Sequence, residues 1–244
     1  MDTAALTTGL TKASALAAQH SRNPRWRPGL PCALHNEVFA PAREGSGAGA
    51  ALAFAMDGLR VAREADRQEE RSVLWVQDAG SIKANGRPYR PGLPKELRHR
   101  IVHVAAATPE DALFALEEGL RCRDLACVIG EIVGNPRALD FTASRRLSLT
   151  AEKHGVPLYL VRHDARRDLG SARMRWQVAS SVSPPPLWNR DAPGRPTWRA
   201  ELFRARAHAP GEWILRHEPD VLSAERESSH VQIAGAAATG ATGV

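Results

Sequence analysis

The stretch Glu37–Leu59, EVFAPAREGSGAGAALAFAMDGL, has the outline of a phosphate site. Val38-Phe39 end a short strand and Ala40-Pro41 break it. Gly45, Ser46, Gly47 and Gly49 read as a turn, and a helix begins near Ala50 with Leu52, Ala53, Phe54, Met56 and Leu59 as its apolar stripe. Strand, glycine turn and helix together let backbone N–H groups and the helix N-terminus cradle phosphate. A working P-loop also needs Gly-Lys-Ser/Thr, with Lys on the β- and γ-phosphates and a hydroxyl on Mg²⁺. Here Ala48 and Ala50 follow the glycines, and the nearest basic residue, Arg43, precedes them. The competing reading of such a run is a tight turn that lets a helix pack closely on a sheet.

Four arginines are candidates for contact with DNA phosphates. Arg145 and Arg146 are adjacent on a helix, and Arg173 and Arg175 share one face of an alternating strand that turns Trp176 to the other. The alternative for each is a solvated surface. Binding of this kind is weak and sequence-independent, because no recognition helix, zinc finger or aromatic RNA-binding motif accompanies it.

A second constellation lies near the C-terminus. Trp198, Phe203 and Trp213, with Arg199, Arg204 and Arg206 between them, form a mixture enriched at protein-binding hot spots. The same aromatics would also serve to bury one face of a half-exposed sheet. Trp188 follows three prolines in a linker, where a large aromatic suggests docking. The histidines are scattered without ligand spacing, so no metal is expected, and no nucleophile with a neighbouring base stands out.

The elements that must position these groups alternate at first between strand and helix. Strands are expected at Ser72–Val76, Ile101–Ala105, Leu125–Ile129 and Pro157–Val161. Thr108-Pro109-Glu110-Asp111 is a strong helix start, and Leu139–His154 is a helix closed by Gly155. Gln77–Pro91 reads as a polar loop and Leu93–Arg98 as a short helix. After Arg173–Ser181 the rhythm changes. Thr197–Arg206 and Trp213–His217 form a hairpin across Pro210-Gly211. The fold class is therefore α/β, with a mainly parallel twisted sheet in three layers and antiparallel C-terminal strands. Its expected divisions are an N-terminal helix and linker (1–30), a core (31–182), a linker with the hairpin packed on the core (183–220), and a disordered tail (221–244).

The 244 residues carry a net charge of +6, mostly from arginine. That suits nucleic acid or acidic protein surfaces, and equally an arginine-rich genome-wide composition. Cys32, Cys122 and Cys127 have no metal-ligand spacing. Cys122 and Cys127 adjoin apolar runs and read as buried thiols, in keeping with a reducing cytoplasm. No run is long enough to span a membrane.

Taken in order, LHNEVFAP (34–41), VLWVQ (73–77), GRPYRPGL (86–93), ALFALEEGLR (112–121), TASRRLSL (142–149), SARMRWQV (171–178) and GRPTWRAELFRAR (194–206) resemble the ImuA family of bacterial mutagenesis accessory proteins. More distantly the series resembles the RecA-like ATPase core. The resemblance covers roughly residues 30–218 and rests on the ordered series, no single motif being diagnostic. It implies a RecA-like fold with degenerate ATPase motifs, no enzymatic activity and no cofactor. It also implies a part in SOS-type, damage-induced translesion DNA synthesis. Implied partners are an ImuB-type relative of the Y-family polymerases and an error-prone C-family DNA polymerase; whether the recombinase RecA is a partner is left open by the sequence. In active RecA-like ATPases a strand-end acid holds Mg²⁺; Glu131 stands at the matching place, so Gly45, Ser46, Gly47, Gly49 and Glu131 make up the degenerate nucleotide site. Gln77-Asp78 fall where such enzymes carry their catalytic acid, and Asp78 alone could activate water. The rival readings are an ATP- and DNA-binding recombinase-like protein and a cell-division inhibitor of the SulA type.

Overall fold

The computed structural model describes residues 23–31, 33–65, 70–218 and 221–226. The expected helix at Ala4–Ala18, Cys32 and the tail beyond Arg226 lie outside them. One nine-stranded sheet runs in the order β3-β2-β4-β5-β1-β6-β7-β8-β9. Strands β1 (His35–Ala40), β2 (Ser72–Asp78), β3 (Ile101–Ala106), β4 (Leu125–Val133), β5 (Leu158–His163) and β6 (Met174–Ser180) pair in parallel. Strands β7 (Thr197–Ala205), β8 (Gly211–His217) and β9 (Leu222–Arg226) extend the sheet antiparallel. This is the expected mainly parallel sheet with antiparallel C-terminal strands.

Helices α1 (Ser46–Ala65), α2 (Ala79–Asn85), α3 (Pro109–Arg121) and α4 (Phe141–His154) complete the described elements. Alternation along each buried strand sorts its side chains between two cores. Val73, Trp75, Ile129, Tyr159 and Val161 join Phe54 and Leu59 of α1 in one cluster. Leu74, Val76, Val128 and Leu160 join Leu113 and Leu116 of α3 and Leu147 of α4 in the other. The first cluster continues under the antiparallel strands through Trp176, Trp198, Trp213 and Leu222. The helix starts follow their local chemistry. Thr108 Oγ1 accepts from Asp111 N at 3.1 Å, and Asp140 Oδ1 accepts from Ala143 N at 2.7 Å.

Four sequence expectations are corrected. The polar loop after β2 contains α2, because Asp78 caps it and Gly86, at φ 75°, ends it. Residues 93–98 form turns, with Leu93 and Leu97 pinned into the core. The tail expected from 221 begins with β9, because Leu222 is buried against the first cluster and β8 offers an edge to pair with. Cys122 is exposed at the end of α3, while Cys127 is buried as expected.

Candidate functional site

The rim at the carboxyl ends of β1, β2, β4 and β5 is where a parallel α/β sheet places ligands. The turn after β1 is shorter than the glycine run suggests. A single 3₁₀ turn, Ala42–Glu44, leads to Gly45 at φ 59°, and α1 begins at once with Ser46. Gly47 and Gly49 are therefore helical residues and not part of a phosphate-cradling loop. A Cβ on Gly47 would sit 2.6 Å from Val161 Cγ1 and 2.8 Å from Ala40 Cβ; one on Gly49 would meet Trp198 Cζ2 at 3.0 Å. The glycines let α1 settle on β1, β5 and β7. Ser46 is buried with its Oγ lacking a protein partner, and Ala50 and Ala51 behind it are wholly enclosed.

Glu131 does not end a strand. It sits within β4 and is 1 % exposed. Its Oε1 accepts from Trp75 Nε1 at 2.7 Å and from Gln77 Nε2 at 3.0 Å, and its Oε2 lies 2.7 Å from His163 Nε2. Gln77 Oε1 faces His103 Nε2 at 2.9 Å, and its amide also donates to Gly86 O. Burial, the main cause, and then Arg87 hold His103 below the ordinary histidine range; Glu131 opposes them and Arg90 adds to them. The acid is thus a cross-strand fastener joining β2, β4 and β5, with both oxygens committed to protein groups. Asp78 is a helix cap: its Oδ1 accepts from Ser81 N at 2.7 Å and its Oδ2 lies 3.4 Å from Val133 N.

A second buried polar cluster lies on the opposite face of the sheet, near β1, and corrects a DNA-contact assignment. Arg175 is 3 % exposed, its Nε donating to Glu37 Oε2 at 2.6 Å. Arg162 lies 3.9 Å from the other Glu37 oxygen and 3.3 Å from Asp168. The Arg175 guanidinium stands 5.0 Å from the Phe39 ring centroid and 5.4 Å from that of Phe203. Arg175 alternates with Trp176 as the sequence suggests, but the face it occupies is closed. Neighbouring His35, with Nδ1 2.7 Å from Ser148 Oγ, is driven down to about 3 by burial first and by Arg173 and Arg175 second.

The sign of the His35 effect follows. The unfolded chain binds a proton there near pH 6.5 and the folded chain only near pH 3, so stability is complete above 6.5 and declines as pH falls toward 3. Between pH 7 and 5 this one group is expected to remove about 2 kcal/mol. Urea unfolding at both pH values should show the loss, and His35→Gln should reduce the difference by a similar amount. An unchanged pH slope in the variant contradicts the assignment.

The other candidates divide by environment. Arg146 pairs with Glu117 on α3 and Arg173 with Glu152 on α4, whereas Arg145 is exposed. Trp198 and Trp213 are buried, which corrects their assignment as partner contacts: they fill the core under β7 and β8. Trp26, which sequence reasoning leaves in a loop, plugs the same core, its ring 4.7 Å from Trp176 and 5.6 Å from Trp213. Phe203 is half-buried beneath the Arg167 guanidinium, 4.1 Å from its centroid. Arg199 is exposed and lies 3.3 Å from Glu212, and exposed Arg204 reaches the Gly170 carbonyl, at 3.5 Å. Trp188 alone of the six tryptophans projects into solvent, at 81 % exposure.

Away from the rim, a cavity of about 380 Å³ lies between the C-terminal half of α1, the 96–100 segment and the β8–β9 turn. No group of three or more His, Cys, Asp or Glu that could hold a metal occurs among the described residues. Nor is any described helix long and apolar enough to cross a membrane.

No family model matches the chain. It is 31% identical over 198 residues to Protein ImuA of Caulobacter vibrioides strain NA1000 / CB15N, which covers 77% of this chain and 76% of that protein. Protein ImuA of Caulobacter vibrioides strain ATCC 19089 / CIP 103742 / CB 15 matches to the same extent.

Proposed function

The chain belongs to the ImuA family, and from that premise we propose that it is a non-catalytic accessory protein of damage-induced mutagenesis, acting by protein contacts within a translesion synthesis complex. The proposed partners are an ImuB-type relative of the Y-family polymerases and, through it, an error-prone C-family polymerase; RecA is a further candidate. The observation that carries the non-catalytic reading is the state of the rim. Its acid is saturated by three side chains, its glycines are spent on packing, and enclosed alanines stand where a lysine would have to reach phosphate.

The contact to a polymerase relative is assigned to the loop between β6 and β7. Ser183 Oγ donates to Arg195 O at 2.6 Å, which pins the loop at its base. Pro184-Pro185-Pro186 stiffen one arm, and Leu187 and Trp188 lie exposed beyond them. A loop with joined ends presents its tip at modest entropic cost, and an exposed tryptophan offers the area that anchors interfaces.

Trp188→Ala is expected to leave the melting temperature unchanged and to weaken binding to the ImuB-type protein by about 1 kcal/mol or more. Titration calorimetry with that protein decides; unaltered affinity moves the contact elsewhere. A parallel pulldown against a division tubulin separates this reading from a SulA-type role. Capture of the tubulin without the polymerase relative would favour the latter.

A further inference from the structure

Arginines on this surface are for the most part matched by acids. Arg167 meets Glu201, Arg199 meets Glu212, Arg216 meets Glu225 and Arg146 meets Glu117. One region breaks this rule. Between the start of α4 and the end of β7 runs an open groove of about 420 Å³, floored by Gly170–Ala172 and walled by Phe141, Arg173, Arg204 and Arg206. No acid lines it. Among the described residues, neither Arg204 nor Arg206 has a carboxylate within ion-pair distance of its side chain; the nearby Glu152 is engaged by Arg173. Glu152 reports the local field: its carboxyl is held below the ordinary range by the bond to Arg173 first, with a further contribution from Arg206. The neighbouring Asp140 carboxylate is turned to the α4 backbone as a cap.

Phe141 is the first residue of α4 and half exposed at the lip of this groove. Two arginines without ion-paired acids, Arg204 and Arg206, and an open aromatic face are the two components of a site for single-stranded nucleic acid. The backbone is held by charge and an unpaired base stacks on the ring. A duplex keeps its bases stacked on one another and has no use for the ring.

We propose that this groove binds single-stranded DNA, with phosphates on Arg204 and Arg206, a base on Phe141, and the Glu152-paired Arg173 as part of its wall. The site is independent of the loop assigned to the polymerase relative and of the rim. Of the arginines that the sequence offers for DNA, Arg173 belongs to it and Arg175, which is buried, does not.

The test is fluorescence anisotropy of a labelled oligothymidylate with the full chain, in a salt series. The double variant Arg204→Glu/Arg206→Glu is expected to weaken binding about tenfold or more. It should also lower the log–log salt slope by about 1.4, since each phosphate no longer neutralised removes ~0.7. Phe141→Ala is expected to weaken binding severalfold with the slope intact, and should not alter melting because the ring is exposed. Arg43→Glu/Arg121→Glu, which makes the same change in net charge at distant exposed positions, should cost much less. Any of four results overturns the proposal: no binding by the wild type, equal losses in the two charge-reversal variants, unchanged affinity in Phe141→Ala, or a duplex bound as tightly as the single strand. Should the groove double variant melt early, Phe141→Ala still decides.

Discussion

Arg175→Ala is expected to destabilise the protein by about 3–5 kcal/mol in urea unfolding, because it leaves a buried carboxylate without its main partner. Glu37 is fully enclosed, and Arg175 supplies its shortest bond, at 2.6 Å. Arg162, 3.9 Å away, is already shared with Asp168 and the Gly134 carbonyl. The guanidinium also lies against both the Phe39 and Phe203 rings, so the substitution removes packing along with charge. Replacing both partners by apolar residues should cost far less than removing one. If Arg175→Ala instead melts like the wild type and loses affinity for DNA, the residue is a surface contact and the buried cluster is misassigned.

Glu131→Ala is expected to cost about 3 kcal/mol or more, since it orphans Trp75 Nε1, removes the carboxylate facing His163 and leaves the Gln77 amide with the Gly86 carbonyl alone of its two acceptors. The strands it joins are central, so the loss should appear as a lower midpoint of one cooperative transition. Glu131→Gln should cost less than alanine, because its carbonyl oxygen still accepts from Trp75 while its amide opposes one of the remaining partners. An acid retained for metal chemistry would behave in the opposite way, its removal relieving a buried charge and raising stability. Midpoints for the two variants distinguish these outcomes.

Much of the fold was legible because its signals are local. Thr108-Pro109-Glu110-Asp111 specified a helix start, apolar runs specified buried parallel strands, and the turn at Pro210-Gly211 specified the β7–β8 hairpin. What escaped depended on distant partners. Asp78 is a cap only because α2 follows β2 directly, and seven residues are too few for a periodic signal. Gly47 and Gly49 look like a flexible turn until Val161 and Trp198, far along the chain, are brought against them.

The site was less legible for the same reason. Arg173 and Arg175 share a strand face in sequence, yet Glu37 and Asp168 close over only one of them. Trp188, Trp198 and Trp213 look alike along the chain, and what separates them is that Trp198 and Trp213 lie on β7 and β8 facing the first core while Trp188 lies in the loop before them. The groove beside α4 was visible in sequence as arginine content alone; Phe141 carried no signal, standing as it does at a helix start.

We propose that the rim at the carboxyl ends of β1, β2, β4 and β5 performs no hydrolysis. Steady-state ATP turnover of the purified protein, measured with and without single-stranded DNA beside a mock purification and Glu131→Gln, tests it most directly. Phosphate release is expected to be no greater than the mock control in every case, because enclosed Ala50 and Ala51 follow the turn where a P-loop carries its lysine and hydroxyl, and Glu131 is engaged by Trp75, Gln77 and His163. Turnover well above the control that is abolished in Glu131→Gln would contradict it.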